Sequence, residues 1–348
     1  MSWLLSRFRA GDLVEVRSKE EILATLDQRG CIDGMPFMPE MLQYCGQRFS
    51  VRAVAHKTCD TICNSGGRRL HSTVHLADLR CDGSAHGGCQ AECSLFWKDA
   101  WLKPVNGKDK SSAQSTAAAK APSAGYTEAD LVAQTRLPES EIGEEPRYVC
   151  QSTSLLQASE RLPWWDLRQY LNDMVTRNHS VDQVLRVLWL ASLQRLLVRT
   201  PFGYRLLASF YNTMHRWLTN RGNPYVTGKI KLGTGTPAGR LDLGPGELVR
   251  VKPKNTIEAT VDESGRNRGL TFDKEMAPYC DSVVKVHKSV EKIIDESSGK
   301  MRHMKQRCIM LEGVVCKAGY SGHRLMCPRA IPSYWREIWL ERANGSHQ

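Results

Sequence analysis

The two ends of this 348-residue chain are diverged copies of each other, and that repeat limits the folds open to it. Gly11-Asp12-Leu13-Val14-Glu15-Val16 returns as Gly246-Glu247-Leu248-Val249-Arg250-Val251. Tyr44-Cys45 returns as Tyr279-Cys280, and His56-Lys57 as His287-Lys288. Cys81 and Cys89 return as Cys316 and Cys327, and Phe96-Trp97 through Trp101-Leu102 as Tyr334-Trp335 through Trp339-Leu340. The offset is 235 at Gly11, Cys45 and Cys81, and 238 at Cys89, Trp97 and Trp101.

Each copy is strand-like. Apolar runs at Leu13 to Val16, Phe49 to Val54, Ser72 to Leu79 and Leu95 to Leu102 are punctuated by Asp33-Gly34, Asn64 to Gly67 and Asp82-Gly83, the residues that turns require. Lys19 to Asp27 reads as a short helix or a strand pair. Many short strands in so little chain suit a small barrel or sandwich. The opening Gly-Asp-Leu-Val-Glu-Val resembles the first strand of an SH3-like or KOW-type barrel. The fold expected is α+β: two homologous small SH3-like β-barrel modules at the termini, flanking a helical middle region.

Residues 1–104 form the first module on this reading. Residues 105–146 are rich in Ala, Ser, Gly and Lys and read as a flexible linker, too poor in apolar surface to order itself. Within it Thr127-Glu128-Ala129-Asp130 resembles the first turn of a helix. Residues 147–227 are helical: Ser180 to Gln183 fits a capping box, apolar residues follow at helical spacing, and Trp164 to Val175 reads as a further helix. Thr200-Pro201 divides two helices, and Asn220 to Pro224 ends the second. A glycine-rich hinge at 228–245 leads into the second module, 246–348.

Twelve cysteines in 348 residues are too sparse for a disulfide scaffold, and the N-terminal stretch does not read as a secretory leader. A cytoplasmic chain with thiols available as ligands is therefore expected. No apolar run is long and charge-free enough for a membrane span. Each copy carries cysteine, a long gap, then cysteine, histidine and cysteine: Cys45, Cys81, His86 and Cys89 in the first, Cys280, Cys316, His323 and Cys327 in the second. Thiolate and imidazole donors from short loops suit a four-coordinate metal. Cys59 and Cys93 are further candidates in the first copy, through Cys59-x3-Cys63 and Cys89-x3-Cys93, and Cys150 could reach back from the next segment. Buried cysteines as plain apolar residues are the competing explanation. Three cysteines with one histidine suit zinc or an iron–sulfur centre. Cys81-Asp82-Gly83-Ser84-Ala85-His86 resembles the Cys-Asp-Gly-Ser-His run of the CDGSH iron–sulfur proteins, with Ala85 inserted and no upstream Cys-x-Cys. That resemblance implies an iron–sulfur cluster as the alternative to zinc.

His56-Lys57 reads as a strand-edge pair facing water, the competing idea being a phosphate contact. The two tryptophan pairs read as core, with base stacking as the competing idea. No nucleophile motif and no pair of carboxylates marks a reaction, so the sequence does not decide whether the chain is an enzyme. The formal net charge of +11 points to a polyanionic partner, nucleic acid among them; the helical region could meet a protein, and the oligomeric state is left open. The function expected is a metal-binding tandem-module scaffold with a basic surface for an anionic partner. The alternative is an iron–sulfur or zinc enzyme, or a redox accessory protein of a bacterial biosynthetic pathway.

Overall fold

The computed structural model describes residues 6–105, 126–137, 145–199, 204–219 and 223–343. Most of the linker expected at 105–146 lies outside these residues, as do the helix-breaking positions Thr200, Pro201 and Asn220 to Gly222. The chain divides into two units. The first comprises residues 1–181 with 292–302 and 327–329; the second comprises 182–291, 303–326 and 330–348. Residues 147–181, the start of the helical region on the sequence reading, fall in the first unit.

In the first unit a five-stranded antiparallel sheet runs in the order Trp97–Lys98, Thr73–Leu76, Arg48–Val54, Leu13–Val16, Leu102–Pro104. Period-two alternation turns Val14 with Val16 and Val74 with Leu76 inward, and a register shift between Val51 and Ala53 lets Val51 and Val54 both be buried as well. Between Leu13–Val16 and Arg48–Val54 the chain forms the helix Lys19–Leu23, held by a capping box of Ser18 and Glu21. A tight hairpin, Cys31–Ile32 with Met35–Pro36, follows. The 3-10 helix Pro39–Tyr44 comes next, its start set by proline. Trp97 and Trp101 close the core, both meeting Phe37 edge to face, with centroids 6.2 and 5.0 Å away. A second sheet, Glu160–Leu162, Gly67–Arg69 and Lys57–Cys59, and the helix Arg168–Val175 complete this unit. The helix Glu128–Ala133 is capped by Thr127 and Asp130, as its Thr-Glu-Ala-Asp run indicates.

The second unit contains a five-stranded sheet in the order Pro332–Trp335, Met301–Val315, Val283–Ile294, Leu248–Val251, Leu340–Arg342. Its registers match those of the first sheet: Val249 faces Val284 as Val14 faces Phe49, and Ile309 faces Trp335 as Val74 faces Trp97. The helix Lys254–Glu258, the hairpin Arg266–Asn267 with Leu270–Thr271 and the 3-10 helix Ala277–Tyr279 recur in the same order. Phe272 meets Trp335 and Trp339 edge to face at 5.8 and 5.1 Å. The helices Val181–Arg199 and Tyr204–Thr219 lie ahead of this sheet in sequence. No described helix is long and apolar enough to cross a membrane.

Two SH3-like barrels flanking a helical middle are not what forms. Each sheet is open: its outermost strands are consecutive in sequence, joined through a three-residue 3-10 helix, and do not pair with each other. A barrel closes only when its end strands share a ladder, and outer strands as short as Trp97–Lys98 and Leu102–Pro104 offer few rungs. The fold is mixed, with several small antiparallel sheets and few helices, and no closed barrel is found among the described residues. The run Leu95 to Leu102 is likewise not one strand, because it turns through the 3-10 helix Asp99–Trp101.

Candidate metal centre

The first unit gathers thiols around one small cavity. Cys81 leaves the isolated bridge Arg80–Ser94, and its amide donates to the Cys93 carbonyl at 2.9 Å, so the two cysteines face across a ladder. Between them the loop 82–93 folds back on Gly83, whose carbonyl accepts from the amides of His86 and Gly88 at 3.1 and 2.9 Å. Asp82 accepts from the Ser84 amide at 2.8 Å and fixes the first turn. Gly83, Gly87 and Gly88 all adopt positive φ, which only glycine does at little cost. The loop returns His86 over Cys81.

Glu40 arrives from the 3-10 helix Pro39–Tyr44. Cys81 Sγ lies 3.3 Å from Glu40 Oε1 and 3.3 Å from His86 Nε2, and His86 Nδ1 lies 3.8 Å from Glu40 Oε1. One ligand atom from each of the three residues can be chosen so that all lie within 4.8 Å. Cys89, Cys93 and Cys150 line the same cavity of about 30 Å³ with Cys81 and His86. The Cys89 sulfur accepts from the Ile294 amide at 3.3 Å, and Ser152 donates to the Cys93 sulfur at 3.4 Å. Ser152 in turn accepts from Arg329 at 2.8 Å, which is paired with Glu296 at 2.8 Å.

Burial sets the charge of these groups. It raises the Glu40 carboxyl and, with Glu40 beside it, the Cys81 thiol, while it lowers His86 to about 4. It also raises Cys93, and pushes Cys150 up to about 12. Without a cation, burial therefore works against the charged forms of Glu40, Cys81, His86, Cys93 and Cys150. Glu40 Oε2 and His86 Nδ1 are buried with no hydrogen-bond partner, an arrangement that costs free energy unless something else meets them.

Of the residues singled out by sequence, the cavity brings together Cys81, His86, Cys89 and Cys93, with Cys150. Cys45 does not line it: as C-cap of the 3-10 helix it has Glu20, Lys19 and Glu128 as its charged neighbours. Cys59 is buried in the strand Lys57–Cys59 and does not line it either. In the second copy Cys280 sits near Asp281 and Lys254, His323 is exposed, and Cys327 is buried within the first unit. Cys316 donates its amide to the Ile331 carbonyl at 2.8 Å, the rung that Cys81 makes with Cys93. An apolar residue thus stands where the first copy has a thiol. Among the described residues these four form no ligand cluster.

Sequence reasoning missed Glu40. Its signal was present: Glu40-Met41-x-x-Tyr44-Cys45 recurs as Glu275-Met276-x-x-Tyr279-Cys280. Glu275 is buried as well, but accepts from the amides of Gly319 and Tyr320 at 3.0 and 2.6 Å. Backbone amides there take the place that Cys81 and His86 hold beside Glu40.

His56 and Lys57 do not face water. Lys57 Nζ meets Asp173 at 2.5 Å, His56 Nε2 lies 3.3 Å from the same carboxylate, and all three are buried or nearly so. The match to His287-Lys288 is also out of register, since the strand pairings put Arg52 opposite His287 in the repeat. Trp97, Trp101, Trp335 and Trp339, the two repeated pairs, are fully buried, which removes them as stacking platforms. No family model, curated protein or solved structure matches this chain.

Proposed function

We propose that the first unit is a metal-stabilised binding module: Cys81, His86 and Glu40 hold a single zinc-like ion, with a fourth donor from Cys89, Cys93 or Cys150. The observation that carries this reading is the triad Glu40, Cys81 and His86: one ligand atom from each lies within 4.8 Å of the others, Cys81 Sγ is 3.3 Å from both Glu40 Oε1 and His86 Nε2, and Cys81 and His86 stand on the wall of a cysteine-lined cavity. Donors of a tetrahedral ion with bonds of about 2.0–2.3 Å stand roughly 3.3–3.8 Å from one another. The orphaned Glu40 Oε2 and His86 Nδ1 fit the same reading. A space of about 30 Å³ suits one ion and its immediate neighbours better than a multi-iron cluster. A bound cation would reverse the pKa preferences above, because ligands bind deprotonated.

The ion's role on this reading is structural. Glu40 and His86 are each about 1% exposed, whereas a catalytic ion keeps a coordination position open to substrate. The ion would join the 3-10 helix, the 82–93 loop and the segment at Cys150, none of which belongs to a long ladder. The net charge of +11 supports an anionic partner for the module.

Metal analysis of anaerobically purified full-length protein tests the first part. About one equivalent of zinc is expected in the wild type, under a fifth of that in Cys81→Ser and His86→Ala, and no change in Cys31→Ser, whose thiol donates to the Arg29 carbonyl at 3.2 Å. A metal-free wild type, or equal loss in all three variants, overturns the reading. A brown, iron-rich preparation would instead give the site to an iron–sulfur centre. An oligonucleotide mobility shift with steep salt dependence tests the partner.

A further inference from the structure

We propose that the second unit carries an oxyanion-binding cleft for a small phosphorylated ligand, built where Arg240, Arg268, Lys305, Arg307 and Arg336 converge. The proposal rests on the anionic-partner part of the reading above and is independent of the metal. These five cations line a concavity of about 540 Å³, with Glu337 the acid on its wall. That volume is in the range of small-molecule sites.

The five have different jobs. Arg307 is tied to Asp242, Glu337, Ser289 and the Leu243 carbonyl, and Arg240 to Asp242 at 2.6 Å. Arg336 is only 9% exposed. Its Nη atoms donate to the carbonyls of Gln306 and Arg268 at 2.9 and 3.0 Å, while its buried Nε has no partner. No carboxylate of a described residue stands within ion-pair distance of Arg336, Arg268 or Lys305. Three cations thus share a cleft whose lining acid, Glu337, is taken up by Arg307 and the amides of Leu241 to Leu243. Close like charges repel, and a ligand with several oxyanions offsets that cost through the bidentate contacts guanidinium groups make.

The other sheet shows that the fold does not require this. Lys98 stands where Arg336 does, and it is neutralised by Asp33 at 2.8 Å. Asp33-Gly34 forms the hairpin turn there, with φ of 50° and 73°. The equivalent turn is Arg268-Gly269, with φ of 45° and 82°. Aspartate before glycine is a favoured choice for such a turn, and arginine in the left-handed region is not. The second unit therefore replaces the acid that would quench the buried cation with another cation, in a conformation that disfavours it. The Arg268 amide is held by Thr236 at 2.8 Å and Gly239 packs directly on Ile338, so the walls are fixed.

Isothermal titration of the full chain with pyrophosphate tests the cleft. Saturable binding is expected, weakened at least tenfold by Arg268→Asp and by Lys305→Glu. Both side chains are exposed, and aspartate already occupies the equivalent turn, so both variants retain the wild-type circular dichroism and zinc content. Lys229→Glu, an exposed change of the same charge outside the cleft, is expected to alter affinity less than twofold. A wild type without saturable heat, or equal weakening by Lys229→Glu, overturns the cleft. If that wild type still shifts an oligonucleotide, the broader anionic reading survives; if it does not, both fall. An oligonucleotide that displaces bound pyrophosphate would overturn the small-ligand assignment and give the cleft to nucleic acid.

Discussion

Gly83 decides whether the thiol loop can form. Its φ is +75°, and a Cβ there would come within 2.1 Å of the Cys89 carbonyl oxygen. Gly83→Ala must therefore move backbone, not a flexible side chain, and a left-handed non-glycine residue adds its own cost of about 1–3 kcal/mol. The expected outcome is a melting temperature several degrees lower together with loss of most bound zinc; unchanged zinc content would show that the loop does not position the ligands. At this scale the sequence revealed ligand types but not directions. Cys81, His86, Cys89 and Cys93 share a short loop, and short loops converge whatever the rest of the chain does. Cys45 is distant in sequence, and only the 3-10 helix before it determines that Glu40, not the thiol, reaches Cys81 and His86.

Among the elements, the helix Arg168–Val175 is joined to the strand Lys57–Cys59 by a buried charge. Asp173 is wholly buried, Lys57 nearly so, and the ammonium also lies 4.9 Å from the centre of the Tyr170 ring. Removing one member of such a pair strands the other in an apolar setting, which costs about 3–5 kcal/mol. Asp173→Asn should lower the urea midpoint accordingly, while the double change Lys57→Met with Asp173→Leu should recover most of the loss. A midpoint unmoved by Asp173→Asn would mean that Lys57 reaches water. Strands such as Leu13–Val16 were legible because alternating burial leaves a period of two in the residues themselves. The contact between His56-Lys57 and a helix more than a hundred residues on leaves no local period. A charged pair with no visible partner therefore reads as surface, and here that inference fails. The open sheets were hidden for a related reason: the composition of an outer strand does not state whether its free edge finds another.

For the whole molecule the repeat was legible in residue identities, whereas the membership of residues 292–302 in the first unit was not, because it depends on long-range packing. What that packing encloses should govern the response to acid. His75 is fully buried, with Nδ1 2.9 Å from the Leu95 carbonyl; burial, reinforced by Arg52, lowers it to about 3. Burial lowers His56 to about 4 in spite of Asp173. An unfolded histidine titrates near pH 6.5. Both groups therefore contribute stability that is complete above about pH 6.5 and is lost as pH falls toward their folded values, since the unfolded chain takes up the protons first. Asp99 works in the opposite sense. Burial raises it to about 6, so the folded state takes up its proton first on acidification, and stability falls as pH rises through the window from the ordinary aspartate value to about 6. Of these three groups, between pH 4 and 6 two protons favour the unfolded state and one favours the folded state, so together they lower stability as the pH falls. Urea unfolding at pH 7, 6, 5 and 4.5 should show that decline. Asp99→Asn should stabilise the protein at pH 7 and steepen the acid slope, and His75→Gln should flatten it. Reading each effect as a difference from the wild type cancels protonation of Cys81 and His86, which is common to all three proteins. Stability that rises on acidification from pH 6.5, or an Asp99→Asn variant weaker than wild type at pH 7, would contradict this assignment of the buried charges.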